Sequence, residues 1–75
     1  MTVREVMAVI ERERVRKGMT QAALDDRTWW TPGCYYQALK RVRQGGSIRA
    51  DNLFDYASTV GMEITIRKKK ELSGQ

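Results

Sequence analysis

Apolar residues recur at helical spacing along most of the chain and switch to strand spacing only near its end. Val3, Val6, Met7 and Ile10 share one side of a helix, charged residues fill the other sides, and Gly18 offers a stop, so helix one is predicted over about residues 3–17. Thr20 is a good N-cap, and the strong helix formers Ala22, Ala23 and Leu24 carry helix two to about Thr28. After Trp29 and Trp30, Thr31 followed by Pro32 reads as an N-cap with proline at the first helical position. Helix three then runs to about Gln44 and ends at Gly45-Gly46. Ser47 is expected to cap helix four, whose stripe is Ala50, Leu53, Phe54, Ala57 and Val60 before Gly61. From Met62 to Arg67 the apolar residues Met62, Ile64 and Ile66 alternate with Glu63, Thr65 and Arg67, the pattern of a half-buried strand. These elements describe an all-α, four-helix domain with a short C-terminal β-strand over residues 1–67, followed by a polar, disordered basic tail over 68–75.

Length and composition restrict what such a domain does. A chain of 75 residues holds one domain that buries only about 60% of its unfolded surface, so association with a second copy is the natural source of extra stability. Cys34 is the single cysteine and histidine is absent, which excludes an internal disulfide, a Cys/His zinc site and a histidine-based catalytic pair. No cofactor, metal or enzymatic role is expected, because no set of side chains could position and activate a substrate. No window approaches the roughly 18 apolar residues of a membrane span, Arg4 and Glu5 interrupt any leader-like run, and a cytoplasmic location is expected.

Charge changes the picture more. The net charge of +5 is local: residues 1–26 and 51–75 each balance acid against base, while residues 27–50 carry Arg27, Lys40, Arg41, Arg43 and Arg49 with no acid. A field of one sign between neutral flanks is the footprint of a surface that meets a polyanion. On a helical wheel, Tyr35, Ala38, Leu39 and Val42 of helix three form a buried stripe. Gly33, Tyr36, Gln37, Lys40 and Gln44 lie opposite, flanked by Arg41 and Arg43. Glutamine amides suit adenine and lysine suits the guanine O6/N7 edge, so this face has the chemistry of a recognition helix. Its N-terminus is expected to offer backbone N–H groups to phosphate, with Gly33 allowing close approach. The plain alternative is a solvated basic surface.

Several residues at these positions resemble the Cro and phage-repressor (XRE) helix-turn-helix family. The resemblance rests on Gly18-Met19-Thr20-Gln21, Leu24, Thr28 and Thr31, a helix ending near glycine, and Leu53, Ala57 and Gly61, and it covers residues 3–61. It implies a lambda-repressor-like DNA-binding domain in which helices two and three form the motif. Gln21 matches the glutamine that contacts a phosphate and braces the recognition helix, and Pro32, Gly33, Tyr36 and Gln37 match positions that approach base edges. With Thr31, Lys40, Arg41, Arg43 and Gln44 these make the expected double-stranded DNA contact set. Strand Met62–Arg67 is similar to those that pair between subunits in some members, including some antitoxins. A homodimer through Val60, Met62, Ile64 and Ile66 is therefore expected. The leading expectation is a transcriptional regulator of bacterial or phage type; the second is an antitoxin-like module that masks a toxin partner and regulates itself through DNA. Three features depart from the family pattern: Asp25 replaces a buried alanine, Trp29 replaces the turn glycine, and helix three is about a turn longer.

Other residues read more plainly. Trp30 is expected in the core, Trp29 at a packing or DNA-backbone contact, and Cys34 as a small filler. Glu11, Arg12, Glu13, Arg14 and Arg16 read as a solvated, charge-laced surface, and Lys68-Lys69-Lys70 as a solubilising run.

Overall fold

The structure, a computed structural model, describes residues 2–28 and 33–65. Four helices follow one another: α1 (Val3–Arg16), α2 (Gln21–Thr28), α3 (Cys34–Arg43) and α4 (Ala50–Thr59). Helix α1 packs on α3 and α4, and α2 packs on the same two. Met7, Ile10, Leu24, Tyr35, Ala38, Leu39, Val42, Tyr56, Ala57 and Val60 form one buried cluster between them. The expected stripe of α3 is wholly buried. No strand occurs among the described residues; Met62–Thr65 form no regular element in the single chain, and Ile66 and Arg67 lie outside the described residues.

Local chemistry sets most helix ends. Thr2 and Glu5 form a reciprocal capping box: the Thr2 hydroxyl accepts the Glu5 N–H at 3.1 Å and the Glu5 carboxylate accepts the Thr2 N–H at 2.9 Å. Thr20 starts α2 as expected, its Oγ1 accepting the Ala23 N–H at 3.0 Å. Helices α1, α3 and α4 all close with paired backbone bonds around Gly18, Gly45 and Gly61; in α3 the Gly46 N–H donates to the Arg41 carbonyl at 2.8 Å and the Gly45 N–H to Val42 at 3.0 Å.

Two helix starts differ from the sequence reading. Helix α4 begins at Ala50 with Arg49 as an extended N-cap that makes no side-chain capping bond, so Ser47 does not cap it. Helix α3 begins at Cys34: Gly33 precedes it with φ 86°, a left-handed conformation that a helix interior forbids and glycine tolerates. Thr31, Pro32, Trp29, Trp30 and Lys68–Lys70 lie outside the described residues.

The buried side of α4 is also rotated from expectation. Ala50 is exposed and Phe54 is 44% exposed, whereas Tyr56 is fully buried. Its ring meets Tyr35 edge to face, with centroids 4.9 Å apart, and its hydroxyl donates to the Cys34 sulfur at 3.5 Å. Cys34 is thus a half-buried filler against Tyr56. Val60 is enclosed in the core of its own chain, which corrects its assignment to an intersubunit contact. Met62 and Ile64 remain half-buried and line an apolar groove of about 260 Å³ with Val6, Val9, Ile10 and Ala57.

Candidate nucleic-acid interface

The side of α3 turned away from the core carries Tyr36, Gln37, Lys40, Arg41 and Arg43, all exposed, with exposed Gln44 at its C-cap. Tyr36 is 50% exposed, too much for a core aromatic. Helical spacing sorts these residues into two ridges. Gln37 and Arg41 border a cleft of about 440 Å³ with Gly33, Ile48, Arg49 and Asn52 at the start of α4. Tyr36, Lys40, Arg43 and Gln44 border a second cleft of about 240 Å³, whose other wall holds Gln21 and Glu11. Gln21, half-buried at the first position of α2, lines this cleft beside the outward face of α3.

Folding brings two acids to a stretch that has none in sequence. Glu11 is the first. Its carboxylate accepts Arg14 Nε and a terminal guanidinium nitrogen at 2.7 Å each, and the Tyr35 hydroxyl at 2.8 Å. Arg14 also donates to the Met19 carbonyl at 2.6 Å. Glu11 and Arg14 are thus part-buried links between α1, the α1–α2 turn and α3, which corrects their assignment to a solvated surface; Arg12 and Arg16 do lie on it. The Arg14 guanidinium, helped by Tyr35, holds the Glu11 carboxyl below its ordinary range against the opposing effect of partial burial. Burial, reinforced by the bond to Glu11, pushes the Tyr35 phenol well above its ordinary value. Burial does the same to Tyr56, with the Cys34 contact adding to it.

Asp25 is the second acid, only 3% exposed. One carboxylate oxygen accepts the Gly33 N–H at 2.9 Å and the other accepts the Tyr35 N–H at 2.9 Å. Helix α3 has no side-chain cap from its own N-cap residue, so α2 supplies one. Two N–H groups expected to face phosphate are therefore engaged inside the protein. The helix-stop and wheel patterns that locate α3 carry no trace of this contact, because Asp25 stands eight and ten residues from its two donors. Arg49 and Asn52 were equally absent from the expected contact set, since they reach the α3 face only through the packing of α4.

Thr31 and Pro32 of the expected contact set fall outside the described residues, and Gly33 serves as the N-cap of α3. Among the described residues no group of His, Cys, Asp or Glu is placed to hold a metal ion, and no helix is long and apolar enough to cross a membrane. Compared with known proteins, the chain matches no family model, no curated protein and no solved structure.

Proposed function

We propose that this chain is a sequence-specific double-stranded DNA-binding regulator, of bacterial or phage type, that works in the cytoplasm as a homodimer. The observation that carries the reading is the outward face of α3: exposed amide, lysine, arginine and tyrosine side chains on a helix whose opposite side is locked into the core. Helices α2 and α3 act as the helix-turn-helix unit, with α3 entering the major groove. Gln37 and Lys40 read base edges, Tyr36 contacts a thymine methyl, and Arg41, Arg43 and Gln21 hold the phosphates. The segment Met62–Arg67 pairs with its own copy, and a two-fold axis then sets two α3 helices about 34 Å apart in successive grooves. Occupancy of such a site blocks or guides transcription.

Selection of bound duplexes from a random pool tests this reading. It predicts enrichment of a short motif repeated in inverted orientation about 10 base pairs away. Equal recovery of all duplexes, with a protein partner retained instead, would favour the interaction-module reading and overturn this one.

A further inference from the structure

Asp25 stands apart from the residues that face the proposed DNA surface, yet it touches the helix that carries them. We propose that Asp25 is the positioning residue of that surface: its carboxylate fixes the rotation of α3 over α2 and thereby the aim of Tyr36, Gln37 and Lys40. This inference rests on the DNA-binding reading above.

Each carboxylate oxygen holds a different N–H, from Gly33 and from Tyr35, at 2.9 Å. The buried stripe seats α3 on the core, and the carboxylate sets its first turn: two acceptors on one planar group, gripping donors two residues apart, fix distance and rotation together. Thr28 secures the base of this grip. Its hydroxyl donates to the Leu24 and Asp25 carbonyls at 3.0 and 3.1 Å, tying down the last turn of α2. Tyr35 is then held at three points: backbone N–H by Asp25, hydroxyl by Glu11, ring by Tyr56. The next two residues are Tyr36 and Gln37. Neighbouring side chains on a helix lie 100° apart, so a modest rotation of α3 would change which of them faces a base edge. A buried carboxylate near a phosphate-binding surface opposes DNA binding by simple charge, so its place there is explained by position rather than by attraction.

The test compares Asp25→Asn with wild type on a duplex selected by the wild type and on a random duplex of equal length, at one salt concentration. Asparagine has nearly the same shape, but it turns an NH2 donor toward one of the two N–H donors. The ratio of selected to random affinity is expected to fall by roughly 5- to 150-fold, the worth of one misread base pair. Affinity for the random duplex should hold or rise, because a negative charge has been removed. General destabilisation would lower both affinities by one factor and leave the ratio unchanged, so the ratio separates positioning from mere structure. Asp26→Asn, at the exposed neighbouring acid, makes the same charge change and should leave the ratio intact. Should the asparagine variant fail to fold, Asp25→Glu keeps charge and acceptors but displaces them by one methylene, and the ratio must again fall. An unchanged ratio in a folded variant overturns the role of Asp25 alone; a wild type with no preferred duplex overturns the DNA reading and this inference together.

Discussion

Tyr35 and Glu11 join α3 to α1 through one hydrogen bond, and Arg14 extends the link to the α1–α2 turn. The phenol is buried among apolar side chains and donates to a carboxylate that Arg14 also holds. Removing the hydroxyl by Tyr35→Phe should cost about 1.5–3 kcal/mol, the net worth of a hydrogen bond to a charged group, read as a lower urea midpoint. The two buried tyrosines also predict an alkaline limit. In the unfolded chain their phenols ionise near 10.0, whereas in the fold both stay protonated to higher pH. The unfolded state therefore releases protons first, and the stability these groups contribute is intact below about pH 10 and lost as pH rises beyond it. Tyrosinate absorbance from Tyr35 and Tyr56 should appear together with loss of helical circular dichroism. Ionisation of both with the helical signal intact would contradict their burial.

At the scale of elements, the end of α3 is the clearest case of sequence chemistry setting structure. Gly45 has φ 89° with open space where a Cβ would sit, so Gly45→Ala carries a conformational cost alone, about 1–2 kcal/mol, read as a lower urea midpoint. Gly46 differs: a Cβ there would lie 2.6 Å from Arg41 Cγ and 2.9 Å from its carbonyl oxygen. Gly46→Ala must therefore displace Arg41, and it should weaken DNA binding as well as the fold. Glycine stops, the Thr20 cap and the buried stripe of α3 were legible in sequence because each depends on residues within a turn or two. The starts of α3 and α4 were not. Thr31-Pro32 is a strong local start pattern, but the observed cap of α3 comes from Asp25 on another helix. The rotation of α4 was hidden for a similar reason. Phe54 is the more apolar aromatic, yet Tyr56 is the one buried, because Tyr35 and Cys34 meet it there. Glu11 looked like surface until α3 was laid against it.

For the whole molecule, the small core and the apolar groove bear on assembly. Met62 is fixed to the end of α4 by its N–H bond to the Ala57 carbonyl at 2.9 Å, and Ile64 follows beside Val6 and Val9. Paired strands from two copies would extend this groove across the two-fold axis, and each further apolar side chain buried there is worth roughly 1.5–3 kcal/mol. In the proposed dimer, Ile64→Pro would remove a backbone donor from the strand pair, and sedimentation should show a monomer where the wild type is dimeric. A proline variant that stays dimeric would move the interface elsewhere. One measurement tests the outward face of α3 directly: the affinities of wild type, Gln37→Ala and Lys40→Ala for the selected duplex and for random duplex at fixed salt. Each substitution should cost about 1–3 kcal/mol on the selected duplex, with a much smaller loss on random DNA. Equal losses on both duplexes would mean that neither side chain reads sequence and that the outward face of α3 is not the reading surface.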